Sequence, residues 1–384
     1  MSKYQIISAD AHVLEPKDIW ETWLPKKYQD KAPKLVKDED GGDAWLFAGA
    51  EPDPIGLVST PGMAFDDFRW TGITYEQARP GCYDGKERLS DMDIDGIDAE
   101  VLFAPQRTIG HFLGDEEDDF VRAGVAAYNE FLWEEFTAPD RSRLIGLQQI
   151  SSLGIDAAVK EVQAAAERGV KGVVISCWPS GGEDVSEDDD PFWAAAQEAG
   201  LTVCNHINIT SRKARVAQRK SSAGGVLGRG TGRNAKAKAV GGLGSVFRVV
   251  PPTISGLIFT GVFDRFPDLQ FTLIETGVGW IPHFLESMDD RYWRNRGWAD
   301  IHLKERPSYY WYRNMAATFI VDRSGIALRH DVGVDNMMWS TDYPHHGNDW
   351  PYSRKTIDEM FSGVAKDEKH QILAGNAVRI FGLE

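Results

Sequence analysis

Tyr4 to Pro16, YQIISADAHVLEP, is the stretch on which the fold turns. Tyr4 to Ser8 reads as a short buried strand. Asp10 and His12 follow two residues apart. Side chains alternate faces along an extended backbone, so residues i and i+2 point the same way. A carboxylate and an imidazole therefore leave one strand end together, at a spacing that lets one metal ion take both. A strand end that offers two ligands this early needs the others from far along the chain.

The rest of the chain supplies strands of the right kind. Ala99–Phe103, Leu144–Gln149, Val170–Ser176, Leu201–Cys204, Leu269–Ile274, Met315–Ile320 and Met337–Ser340 are short apolar runs. Helical segments separate them. Ile19–Leu24, Gly85–Gly96, Phe120–Phe136, Gly154–Glu167, Pro191–Glu198, Pro252–Asp264, Pro282–Trp293, Asp367–Ala374 and Asn376–Phe381 carry the periodicity, and Gly96, Gly169 and Gly200 stop three of them. Short apolar strands alternating with helices imply parallel pairing covered on both faces. No glycine-rich phosphate loop follows the first strand. The spacing therefore predicts a (β/α)8 TIM barrel rather than an open doubly wound sheet.

The expected organisation is one barrel domain over residues 1–384 with two interruptions. Residues 31–83 are irregular, rich in Gly, Pro, Asp and Trp, with a hairpin expected at Ala44–Phe47. Residues 211–248 carry ten Arg or Lys and no acid. That basic, Gly-rich insertion reads either as a solvated loop or oligomer contact, or as a lid that attracts an anionic substrate.

Bulk properties exclude several classes. A formal charge of -16 over 384 residues argues against nucleic-acid or anionic-membrane binding. No apolar run is long enough to span a bilayer. Cys82, Cys177 and Cys204 form no close pair, which fits a reducing compartment, and the N-terminus enters a strand without a basic, apolar leader. A cytoplasmic location is the expectation.

In a parallel barrel the reactive groups sit at the C-terminal ends of strands. Polar residues at those places are Asp10, His12, His206, Glu275 and Asp342, with His345 and His346 just beyond. Mixed imidazole and carboxylate donors without thiolate suit one divalent Zn, Mn or Fe ion, and Glu275 leaves room for a second. Arg107, which follows Ala99–Phe103, is the first choice to hold a substrate carboxylate. Arg69 and His111 are further candidates for substrate binding.

The D-x-H of Asp10 and His12, His206, Arg88–Asp93 (RLSDMD), Ser340–His345 (STDYPH) and Ile372–Leu383 (ILAGNAVRIFGL) resemble the amidohydrolase superfamily. More narrowly they resemble its amidohydrolase-related, aminocarboxymuconate-semialdehyde decarboxylase-like family. The resemblance implies a metal-dependent (β/α)8 barrel with Asp10, His12, His206 and Asp342 as ligands. It makes Asp342 the acid/base as well. The family usually places a histidine followed by x-G at the end of the sixth strand. Here Glu275-Thr276-Gly277 stands there, so a carboxylate replaces the imidazole as ligand or proton relay, with His345 close to Asp342.

Four readings follow as expectations, three of them activities. The first is hydrolysis of a small, anionic, cyclic or aromatic compound by water that the metal activates. The second is nonoxidative decarboxylation of an aromatic carboxylate. The third is nonheme Fe or Mn monooxygenation on the same barrel. The fourth is a non-catalytic subunit that pairs with a related barrel. The aromatic run Tyr292–Tyr312 suggests a homo-oligomer, or equally a segment tucked under the 31–83 excursion.

Overall fold

The computed structural model describes residues 3–221, 237 and 246–383. Eight strand positions form the barrel: β1 (Ile7–His12), β2 (Ala99–Phe103), β3 (Leu144–Gly146 continued by Gln148–Gln149), β4 (Gly172–Val174), β5 (Thr202–His206), β6 (Phe271–Ile274), β7 (Met315–Phe319) and β8 (Met337–Trp339). Neighbours in this order pair in parallel, from β1 to β3 and from β3 to β8. Leu147 N–H donates to the Leu102 carbonyl and joins the two halves. Closure occurs just beyond β8, where His12 N–H donates to Tyr343 O and Asp342 N–H donates to Asp10 O.

Two apolar cores follow from the strand alternation. The inner one, which includes Ile7, Ala9, Val101, Phe103, Val174, Cys204, Ile274 and Met338, fills the barrel. Ala377, Ile380, Phe381 and Leu383 of the C-terminal helix join it and plug the bottom. The outer core lies between strands and helices and holds Trp20, Trp193, Trp311 and Trp339. All three cysteines are buried and free.

Expected elements recur with shifted ends. Gly85–Asp95 is a helix closed by Gly96 in the left-handed conformation, with Asp84 capping its start by accepting from Lys86 and Glu87 N–H. The expected helix from Pro252 instead spans Val246–Phe259 with Pro251 and Pro252 inside, followed by Val262–Arg265. Burial of Val250, Ile254, Leu257 and Ile258 carries the helix back through both prolines.

The 31–83 excursion is more regular than its composition suggests. Lys34–Lys37, Asp43–Leu46 and Asp53–Pro54 form a small antiparallel sheet. Its contacts lead to the barrel mouth: Trp45 Nε1 donates to Tyr75 Oη, and Tyr75 Oη donates to Glu15 O just past β1. Of the basic insertion, Arg212–Ser221 is helix and packs on the helix Gln106–Leu113. The remainder of it, residues 222–236 and 238–245, lies outside the described residues.

The aromatic run is split. Tyr310 and Trp311 are buried in the outer core, whereas Trp293 and Trp298 are 68% and 80% exposed. These two exposed rings are not covered by the described part of the excursion. No helix among the described residues is long and apolar enough to cross a membrane.

Candidate metal centre

The first-strand pair reaches the mouth through a register shift. β1 pairs with β2 as Ser8↔Glu100 and then Ala11↔Leu102, so one residue bulges between them. Ile7 and Ala9 face the inner core, while Ala11 and Val13 face the outer one. The bulge thus changes the parity of the strand and turns Asp10 and His12 inward together. Ser8 Oγ fixes the kink by donating to Asp10 O at 2.8 Å, and it lies 2.9 Å from Thr341 Oγ1.

The distant partners arrive where the topology places them. His206 ends β5, and its Nε2 lies 3.0 Å from His12 Nε2 and 3.6 Å from Asp10 Oδ1. Glu275 follows β6, with Oε2 3.8 Å from His206 Nε2. Asp342 follows β8, with Oδ1 3.4 Å from His12 Nε2. His345 lies against His12, ring centroids 4.6 Å apart and nearly perpendicular. The donor atoms form three overlapping triads, each within 4.8 Å: Asp10–His12–His206, His12–Asp342–His345 and Asp10–Glu275–Asp342.

Backbone strain aims two of these carboxylates. Glu275 and Asp342 both have left-handed backbones, at φ 60° and 58°. Such a conformation costs a non-glycine residue about 1 to 3 kcal/mol and concentrates at functional sites. Thr318 Oγ1 holds Glu275 by accepting its N–H at 2.7 Å, and Asp10 O holds Asp342.

Electrostatics argue for a cation here. Both Asp10 carboxylate oxygens, Asp342 Oδ1, and His12 and His206 Nδ1 are buried without a hydrogen-bond partner among the described residues. The carboxylates' nearest imidazole nitrogens stand 3.4 to 3.6 Å away, and buried carboxylates so weakly bonded are costly unless a positive charge compensates them. Burial, then the Glu275 and Asp10 carboxylates, pushes Asp342 well above the usual carboxylate range. Desolvation lifts Glu275 to about 7, with His206 opposing and Asp10 adding to the rise. Glu275 is nonetheless 34% exposed and is the member of the set that opens toward solvent.

Burial, helped by neighbouring positive groups, pushes His12 and His345 well below the ordinary imidazole value, so both stay neutral, the form that ligates metals. Burial would lower His206 as well, but the Asp10 carboxylate outweighs it and raises it. Without a cation, the folded chain holds protons on Glu275 and Asp342 that an unfolded chain releases above about pH 4.5. Stability is then lost as pH rises from there toward 7. The nitrogen and oxygen donor set fits a divalent Zn, Mn or Fe ion, with Asp10, His12, His206, Glu275 and Asp342 to hold it.

A supporting layer was visible in the sequence as RLSDMD but without a role. Arg88 is fully buried, pairs with Glu100 at 2.7 Å and donates to His12 O and Gly81 O at 2.6 Å. Its guanidinium also lies over the Tyr343 ring, 4.3 Å from the centroid. Tyr343 Oη donates to Asp91, which Arg79 clasps from the other side. One helix thereby braces both segments that carry the candidate ligands, His12 and Asp342.

The three expected substrate residues fare differently. Arg107 lies near His345 but is paired with Asp53 of the excursion at 2.6 Å. His111 stacks on Phe47 at 4.1 Å, and burial pushes it down to about 4. Arg69 is exposed. His346 stacks on Phe68 and lies outside the cluster.

Comparison with known families settles the lineage. The family model described as amidohydrolase matches residues 9–383. The chain belongs to the amidohydrolase family. Solved structures similar to this amidohydrolase chain include an amidohydrolase from Mycobacterium avium subsp. paratuberculosis K-10. That match has 19% identity, TM-score 0.73 and all of both chains covered. Another is 5-carboxyvanillate decarboxylase LigW from Sphingomonas paucimobilis, at 22% identity and TM-score 0.62, again over both chains in full. A third is LigW2 from Novosphingobium aromaticivorans with bound manganese, at 17% identity and TM-score 0.66, covering 99% of this chain and 98% of that one. At these identities the likeness establishes the barrel fold of the amidohydrolase chain. No protein of curated function matches it significantly in sequence.

Proposed function

We propose that this amidohydrolase-family enzyme is a metal-dependent nonoxidative decarboxylase of a small aromatic carboxylate. The cluster of Asp10, His12, His206, Glu275 and Asp342 at the barrel mouth carries the reading. The decarboxylases among the similar structures move it ahead of the hydrolysis that the sequence first suggested.

When bound, a divalent ion supplies a Lewis acid that anchors an anionic substrate and withdraws electron density from it. The residues divide the remaining work. Asp342 presents a buried, otherwise unbonded Oδ1 and gives its proton to the ring carbon that carries the carboxylate. The bond to that carboxylate then breaks, its electron pair returns to the ring and carbon dioxide leaves. Glu275, partly exposed, returns a proton from solvent. His12 and His206 hold their positions as neutral and carboxylate-paired imidazoles.

Hydrolysis remains the second reading, favoured by the carboxylate Glu275 where the family usually has an imidazole base. There Asp342 would take a proton from water. A single assay separates the two. The manganese-loaded protein, incubated without oxygen with a panel of hydroxybenzoates, is expected to release carbon dioxide in step with loss of the acid. Cleavage of ester, lactone or amide substrates with no carbon dioxide from any aromatic acid would overturn the decarboxylase assignment.

A further inference from the structure

The basic helix Arg212–Ser221 carries three arginines on the mouth side, and they are not equivalent. Arg212 pairs with Asp118 at 2.8 Å, and Arg219 pairs with Asp115. Arg215 has no carboxylate within salt-bridge distance among the described residues. The neighbouring undescribed stretches, 222–236 and 238–245, contain no Asp or Glu. Its Nε is buried without a hydrogen-bond partner, Nη2 donates to the Ser176 carbonyl at 3.1 Å, and the guanidinium also meets the Cys177 thiol. A half-buried guanidinium without a counter-charge is costly, and its planar fork suits a carboxylate.

Arg215 lies at the barrel mouth. Ser176 follows β4 at the same C-terminal end of the barrel as His206, and its carbonyl also accepts from Thr210 N–H, four residues past His206. Polar groups converge at the same point. Ser176 Oγ donates to Gln106 Oε1, Gln149 Nε2 donates to Ser176 Oγ, and Gln149 Oε1 is buried and unbonded. Phe103, which contacts both His12 and His206, lines the inner wall between them.

We infer that Arg215, with Ser176 beside it, is the subsite for a second anionic group of the substrate. The ligand is an aromatic ring with one carboxylate at the metal cluster and another acidic oxygen substituent at Arg215. Arg107, the other candidate for a substrate carboxylate, is already paired with Asp53. The inference rests on the proposed metal-dependent use of the cluster and narrows its substrate class.

The test is calorimetric binding to the manganese-loaded full chain, with benzene-1,3-dicarboxylate and benzoate as probes. Arg215→Met is expected to weaken the dicarboxylate by about thirtyfold, the scale of a lost charge-assisted hydrogen-bond pair, and benzoate by less than about threefold. Manganese content should be unchanged. Arg215→Lys, which keeps the charge and lower bulk strain on the fold, should retain manganese and lose about tenfold toward the dicarboxylate only. Wild-type affinity for the dicarboxylate in both variants overturns the inference and leaves the metal-centred function standing. The same loss in Arg107→Met but not in Arg215→Met also overturns it. Wild-type protein that binds neither probe refutes the function itself, and this subsite with it.

Discussion

Asp342→Asn lowers turnover by at least about a thousandfold if this carboxylate moves the proton, the range expected for loss of a positioned acid/base. The substitution keeps the shape of the side chain and removes its charge. It should also make the metal-free protein more stable, because Asp342 is held against Glu275 and Asp10 without compensation. The opposed directions are informative. A residue that only maintains the fold would lose activity and stability together. Steady-state rates at saturating manganese, with urea unfolding after chelation, measure both. Activity above a tenth of wild type would remove Asp342 from the mechanism.

The second large effect lies one layer out. Arg88→Met strips the guanidinium from Glu100, which is 2% exposed, and leaves a buried carboxylate unpaired. Breaking a buried pair by removing one partner costs about 3 to 5 kcal/mol. The carbonyls of His12 and Gly81 lose their donor as well. Denaturant unfolding should therefore show a loss of about 4 kcal/mol, and metal affinity should fall because His12 is no longer braced. Adding Glu100→Gln to Arg88→Met should recover part of the stability, since the stranded charge is gone. A single-variant loss below about 1 kcal/mol would mean that solvent reaches Glu100 in a way the buried pair excludes.

Much of this was legible in the sequence, and the exceptions have physical causes. Strand positions and the candidate ligands at their ends follow from apolar periodicity and chain order. The pairing of Asp10 with His12 was readable, but the bulge that turns both inward was not. Ile7, Ala9, Ala11 and Val13 are all apolar, so nothing in the pattern marks the change of face. The left-handed backbones of Glu275 and Asp342 were hidden because neither residue is glycine, the usual sign of such a conformation.

Long-range pairing was the other blind spot. Arg107 looked free beside its strand, yet Asp53, 54 residues earlier, neutralises it from a sheet that composition alone read as irregular. Arg215 looked like one basic residue among ten. Only the partners of Arg212 and Arg219 reveal that it has no acid of its own. The RLSDMD run stood out as a motif, but its task of bracing His12 and Tyr343 depends on contacts across the barrel closure.

The claim beneath all of this is that Asp10, His12, His206, Glu275 and Asp342 enclose a divalent cation. Elemental analysis of the purified chain, loaded with manganese and then desalted, tests it most directly. We predict at least one tightly held ion per chain, lost when His12 and His206 are both replaced by alanine in a chain that still folds. A desalted wild-type chain that retains no more metal than that double variant would contradict the account.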